Sequence, residues 1–382
     1  MSLFRARWAF PGKQPPIENA TVQMMDGQMH VVGDVEEVAV QDLGDVALIP
    51  ALVNAHTHLE FSHLATPLQP LTDFPAWIRS VVQSRRERTL STAECIDRGL
   101  HEISNTQTSL VGEIATEDWR ERVKTPSPLK VVMFREFYGV TGDRVAECLD
   151  EASTFLETST SSNVVPALSP HAPYSVHPKL FRGLCELSRE FDVPLAFHLA
   201  ETHAELDLIR DGSGPLAESF KQSGFWRDGV FPPGTTPMDY LKQLAELPRA
   251  LVVHGNLLTQ EEMEFMADCP NMSVVYCPRT HATMQQGDHP WQTMLGLDIN
   301  VAIGTDSRAS NPDLSVWNEL RFLAEKHKDL PASEILKLGT INGAKALDCT
   351  VPGLVVVGLT NRAINEPEAY LFEGTPLKRI LN

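Results

Sequence analysis

Residues 46–58 read VALIPALVNAHTH, an apolar run closed by a His-Thr-His triplet. We read residues 46–53 as a β-strand, the first of a parallel sheet. Outward from it the same grammar recurs, with short apolar runs at 108–114, 130–134, 164–168, 194–197, 250–253, 273–276 and 299–303, separated by stretches of helical periodicity. Runs such as PLAFH and ALVVH are continuous rather than alternating, as a strand covered on both faces should be. Alternating strands and helices are βα units, and eight of them suit a closed (β/α)8 barrel of the TIM type. A doubly wound sheet stops more often at fewer strands and carries a phosphate-binding glycine loop after its first strand. No such loop follows residue 53, and the GxG at 212–214 sits in a polar stretch where a flexible turn explains it.

The chain has 382 residues, enough for one large barrel and a smaller module. Both ends contain β-like pieces: VQMMDGQMHVV before the first run, and VVVG and AYLF in the tail. They are expected to meet in one small β domain, residues 1–50 plus 348–382, around a hydrolase barrel of residues 51–347. The VPGLVVVG segment leaves that boundary open. The polar run ETSTSSN (157–163) reads as a surface loop, and the irregular stretch 211–237, with FPPGTTP, as a lid.

Hydrophobic residues make up 42% and charged residues 21%, the composition of an ordinary globular protein. The formal charge is -18 with no Lys/Arg run, which argues against nucleic acid or an anionic membrane as partner. A small-molecule substrate is expected, and a homodimer is compatible with these features. The six cysteines form no CxxC pair, and no apolar stretch has the length of a signal peptide or a membrane span. Reduced thiols and a cytoplasmic location are the expectation.

Barrel enzymes place their chemistry where strands end. The first run closes in His56 and His58, the fifth in His198, the sixth in His254 and the eighth in Asp306, while His171 follows the fourth. Residues i and i+2 of a strand point the same way, so His56 and His58 can hold one cation together. An HxH alone is weak evidence, because two exposed histidines at a strand end look the same. Titratable residues at three further strand ends make a shared site the better account. Three imidazoles and a carboxylate suit zinc first and ferrous iron second, so His56, His58, His198 and Asp306 are assigned as ligands. A cation there lowers the pKa of bound water toward ~7 and supplies hydroxide. Glu201, three residues beyond His198, is the general acid/base candidate, with a helix-end carboxylate as its plain alternative.

The segments IPALVNAHTHLEFSHL (49–64), SPHAPYS (169–175), HLAETHAE (198–205), VVHGNLLT (252–259), GTDSRASNPDLSVWNELR (304–321) and GTINGAKALD (339–348) resemble, in that order, the deaminase and chlorohydrolase branch of the amidohydrolase superfamily. The resemblance implies that Asp306 also takes a proton from the attacking water, that Glu201 shuttles protons to the ring and the leaving group, and that His254 orients the nucleophile or the ring. It implies one metal, because no lysine stands where two-metal members carry a carboxylated one. SPHAPYS resembles the substrate-contact stretch of adenosine-type deaminases, which makes His171 a substrate-binding candidate. HTHLEFS resembles aminodeoxyfutalosine deaminases, in which Glu60 would be a second contact.

The expected reaction is hydrolytic release of ammonia from an adenine-like ring, as in aminodeoxyfutalosine or S-adenosylhomocysteine. A chlorohydrolase or another C–N hydrolase could use the same metal site, and a non-catalytic metal-binding barrel is the alternative of another class. The roles of Arg135, Glu136, Arg279 and His281 stay open at this point. His63, His101, His177, His203, His289 and His327 read as surface or loop residues.

Overall fold

In the computed structural model, residues 2–12, 14–25, 28–33, 40–119, 129–158, 163–227, 229–351 and 353–380 are described. Five strands come first: β1 (Leu3–Ala9), β2 (Ile17–Met25), β3 (Gln28–Val32), β4 (Val40–Asp42) and β5 (Val46–Pro50). The next nine are β6 (Leu52–His58), β7 (Thr108–Ala115), β8 (Lys130–Phe137), β9 (Val164–Pro170), β10 (Leu195–Leu199), β11 (Ala250–His254), β12 (Met272–Tyr276), β13 (Asn300–Ile303) and β14 (Asp306–Ser307). Two more, β15 (Leu354–Gly358) and β16 (Thr375–Ile380), end the order.

The nine middle strands run parallel in the order β13-β12-β11-β10-β9-β8-β7-β6-β14. Only Gly304 and Thr305 separate β13 from β14, so the eighth strand is split. Its first part pairs with β12 and its second with β6, which closes the ring. With helices between the strands, this is a (β/α)8 barrel, as expected. Alternate strand residues, among them Val53, Val132, Phe134, Ala196, Val253 and Ala302, form one apolar cluster inside the barrel. The residues between them, such as Leu52, Val131, Met133, Phe197, Val252 and Val301, belong to the larger cluster under the helices. Burial on both faces explains why these strands read as continuous apolar runs.

The other strands form a seven-stranded sheet in the order β16-β15-β5-β1-β2-β3, with β4 pairing β1, so both chain ends build one small β domain. The expected strand 46–53 is corrected here. It divides at Ala51: Val46–Pro50 pairs with β1 and β15 in the small sheet, and the barrel begins at Leu52. Pro50 has no N–H and a fixed φ, which ends the first ladder, while apolarity runs through both pieces because both are buried. The AYLF piece is also corrected: Pro367–Tyr370 and Leu371–Glu373 are helical turns, and the last strand is Thr375–Ile380. Of the expected loop 157–163, Glu157 and Thr158 end the helix Val145–Thr158, and residues 159–162 lie outside the described residues. The stretch 211–237 contains the helix Gly214–Ser223, and the described residues from there to the next helix, Pro237–Leu244, have no regular structure.

Candidate active site

The expected ligands converge at the C-terminal ends of the barrel strands, but local distortions aim several of them. Val53 points inward, so strict alternation would turn His56 and His58 away from the interior. Between Asn54 and Thr57 the register of β6 against β7 slips by one residue. A bulge of this kind reverses the phase and re-aims the side chains beyond it. His254 follows inward Val253 and would face outward, yet its φ of 70° turns it back toward the others. Ala200 (φ 55°), between His198 and Glu201, and Asp306 (φ 54°) share this left-handed backbone, which is uncommon for residues with a side chain.

The ligand atoms of His56, His58 and His198 all lie within 4.8 Å of one another, and the three side chains are buried. Asp306 Oδ1 stands 3.6 Å from His56 Nε2 and 3.7 Å from His58 Nε2. His198 Nδ1 donates to the His171 carbonyl at 2.8 Å, which leaves its Nε2 as a lone pair facing His58 Nε2 at 3.3 Å. Neither ring nitrogen of His56 has a hydrogen-bond partner among the described residues. Burial and the neighbouring imidazoles hold the His58 and His198 rings well below the usual histidine range, so both are neutral. Neutral nitrogens turned toward one another beside an anionic oxygen fit a divalent cation, which would satisfy all of them at once. Ser310 Oγ donates to the other Asp306 oxygen. Burial alone would raise the Asp306 carboxyl, but the imidazoles of His56, His58 and His254 hold it below the usual range.

Glu201 is 3% exposed, and its Oε1 lies 3.5 Å from His254 Nε2. Burial, then the charges of Asp306 and Glu205, push its carboxyl well above the ordinary value. Its loop is fixed by Glu205, which accepts from the Ala200 and Glu201 amides at 2.8 and 2.9 Å, and by Asn256 Nδ2, which donates to the Glu201 carbonyl at 2.9 Å. Burial lowers the His254 imidazole to about 3. Its carbonyl accepts from His289 Nε2 at 2.8 Å. His289 lies in a loop, as expected, but is buried there behind His254.

Above these groups lies a cavity of about 420 Å³ with an apolar wall of Phe61, Trp77, Ile78, Val81 and Phe220 and a few polar groups. His171 lines it; its Nδ1 bonds Ser175 Oγ at 2.6 Å. Glu60 does not line it: Arg85 stands between, holding the Glu60 carboxylate at 2.7 and 3.2 Å, with Arg88 behind at 3.4 Å. Arg85 was missed at the sequence level, since nothing in a helical Arg-Arg pair signals a cavity. Glu136 also lines the cavity and had a readable signal: it continues the inward phase of Val132 and Phe134. Arg135 points the other way, toward Thr116 and Glu151. Arg279 is held by Asp313 and Glu319, and His281 lies against Tyr276 and His289, so neither lines the cavity.

A metal-fitting cluster at barrel strand ends, beside a buried carboxyl and under an apolar cavity, describes a hydrolase site. The chain belongs to the amidohydrolase family, whose model matches residues 47–358. It is accordingly a metal-dependent hydrolase acting on a small molecule. The aminodeoxyfutalosine deaminase of a Nitratiruptor species is 28% identical over 339 residues, 85% of this chain and 79% of that protein. The 5-methylthioadenosine/S-adenosylhomocysteine deaminase of Halothermothrix orenii is 28% identical over 368 residues, 90% and 79% respectively. Among solved structures, Helicobacter pylori aminofutalosine deaminase in complex with methylthio-coformycin shares the fold with a TM-score of 0.85 at 22% identity, covering 100% of this chain and 98% of that one. The zinc complex of atrazine chlorohydrolase from Arthrobacter aurescens TC1 does so with a TM-score of 0.79 at 18% identity, covering 100% and 94%.

Proposed function

We propose that the protein is a metal-dependent hydrolytic deaminase that releases ammonia from an adenine-like ring of a nucleoside derivative. The observation that carries this reading is Glu201, a buried carboxyl with a raised pKa, 3.5 Å from His254 and beside the His56, His58, His198 and Asp306 cluster. Those four residues would hold one divalent ion, with zinc the best match to three imidazoles and a carboxylate and ferrous iron the second. The ion, when bound, supplies Lewis acidity and a water ionised near neutral pH.

The chain's own residues do the rest. Asp306, an ionised carboxylate, accepts the proton released by the attacking water. Glu201, whose carboxyl burial raises well above the ordinary value, carries a proton to the exocyclic nitrogen, which leaves as ammonia. His254 orients the oxygen of the incoming group through its neutral Nε2. His171, on the cavity wall, contacts the ring, while Glu60 acts on the substrate through the Arg85 guanidinium it anchors. The chemistry belongs to residues 51–347, and residues 1–50 with 348–382 form the supporting β domain. A cytoplasmic location accords with the six free thiols and with the lack, among the described residues, of a helix long and apolar enough to cross a membrane.

The test is ammonia release from the zinc-replete protein offered methylthioadenosine, S-adenosylhomocysteine, aminodeoxyfutalosine, cytosine, guanine and chlorotriazines. Ammonia from the adenosine derivatives is the expected result. Chloride release from a triazine, with no ammonia from any nucleoside, would overturn it.

A further inference from the structure

His254 ends β11 as the middle residue of a tight turn. The Gly255 amide donates across it to the Val253 carbonyl at 3.2 Å, and also to the Leu199 carbonyl on the neighbouring strand at 3.0 Å. With a φ of 70° at His254, this is the rare, strained form of the three-residue turn. Such strain persists only where the surroundings hold it. Relaxed to extended backbone, the strand would carry the His254 ring outward, away from Glu201.

The side chain that meets this turn from behind is His289, on the loop between the helices Pro278–Met284 and Trp291–Gly296. Its Nε2 donates to the His254 carbonyl at 2.8 Å, the one hydrogen bond its ring makes among the described residues. Burial holds the His289 imidazole down at about 3, so the ring is neutral and its single proton sits on Nε2. Its Nδ1 is buried without a partner among the described residues, as is Nε2 of the adjacent His281. A plain apolar ring would avoid that penalty, so the donor at this position has a use that packing does not supply. Tyr276 stacks on the His289 ring, with centroids 3.9 Å apart, and His281 meets it edge-on at 5.4 Å. These rings fix the direction in which Nε2 donates. His289 does not line the cavity, so it acts there only through His254.

We propose that His289 is a positioning residue: its hydrogen bond locks the strained turn that aims the His254 ring into the site, and so sets turnover rather than substrate binding. The inference rests on the role of His254 in the hydrolytic reading, and extends it to the loop after β12. Two roles for His289 make opposite demands. A lock needs an N–H at this point, whereas a packing plug needs a flat ring under Tyr276.

The experiment compares zinc-replete wild type, His289→Phe and His289→Gln. Phe keeps the ring and removes the donor, while Gln gives up the ring and can place an amide N–H near the position of Nε2. For 5′-methylthioadenosine, kcat of His289→Phe should fall by at least about tenfold with KM and zinc content little changed, because small misplacements of an orienting group are costly. His289→Gln should recover to within roughly threefold of the wild type, since it restores the bond to the carbonyl. Wild-type kcat in His289→Phe would overturn the proposal. Equal impairment of both variants, or loss of zinc from His289→Phe, would also overturn it, as the mark of a structural role. Crystal structures of the zinc-loaded proteins supply a readout independent of substrate. In His289→Phe the His254 ring should swing away from Glu201, beyond the native 3.5 Å, and in His289→Gln it should return. A His254 turn unchanged in His289→Phe would overturn the lock. Absence of ammonia from every adenosine derivative offered to the wild type would instead remove the deaminase reading, and the crystal structures would still decide the lock.

Discussion

At the scale of single residues, Glu201 separates chemistry from mere support. Glu201→Gln keeps the size of a side chain that lies 3.5 Å from His254 and removes only its ability to give up a proton. Metal content by atomic emission should be unchanged, while turnover falls by roughly 10²–10⁴-fold, the usual loss when proton transfer is removed. Near-wild-type turnover in a metal-loaded variant would take Glu201 out of the mechanism. His198→Ala should do the reverse and shed the metal, since it deletes one of three convergent nitrogens. These residues were legible because strand ends collect chemistry, and five of the barrel runs close in, or are followed by, histidine or aspartate. The reason they face one another was not legible. Residue-to-residue alternation predicts the wrong side for His56 and His254, and a bulge in β6 and a left-handed residue at the end of β11 correct it. Neither device has a sequence signature, since any residue can occupy a bulge and histidine rarely adopts positive φ. Glu136 shows the opposite case, a site residue that simple period-two counting from Val132 identifies.

At the scale of elements, the eighth strand is the point of greatest constraint. A Cβ on Gly304 would lie 2.8 Å from His56 Cβ and 2.9 Å from the His56 carbonyl oxygen, which accepts from the Thr305 amide at 3.0 Å. Gly304→Ala must therefore push apart the strand that carries Asp306 and the strand that carries His56. The expected result is a folded barrel, with an unchanged circular dichroism spectrum, whose zinc affinity is weaker by at least about tenfold, in line with losses on disturbing the support of a metal site. Unchanged affinity by competitive chelation would show that the ring tolerates the extra carbon. That the run 46–53 serves two sheets could not be read from its residues, because burial makes both pieces apolar and only Pro50 marks the seam. AYLF misleads for a related reason: four apolar or aromatic residues pack equally well on a turn against the barrel, where Leu371 and Phe372 are buried.

At the scale of the whole molecule, protonation of buried groups links stability to pH. The Glu136 carboxyl is raised from 4.5 in a free chain to about 7 in the fold. Between those values the native state binds the extra proton, so the contribution of this group is fully present below about pH 4.5 and is lost as pH rises through about 7. Relative to Glu136→Gln, the wild type should therefore lose stability in urea unfolding as pH is raised across that window. The upper bound is roughly 3.5 kcal/mol, at about 1.4 kcal/mol per pKa unit. A difference between the two proteins that stays constant with pH would mean that Arg85 keeps Glu136 ionised throughout. The pairing of β5 with β15 and of β6 with β14 has a further consequence, for how the chain is made. Residues 46–58 leave the ribosome early, but their neighbours at 306–307 and 354–358 are translated some 250 to 300 residues later. Until then the nascent barrel has an open edge and lacks Asp306, the carboxylate proposed as a metal ligand. Contacts between distant parts of a chain form slowly and leave strand edges exposed in the meantime. The ring therefore cannot close, and the four residues proposed to hold the metal cannot all converge, until nearly the whole barrel has been synthesised.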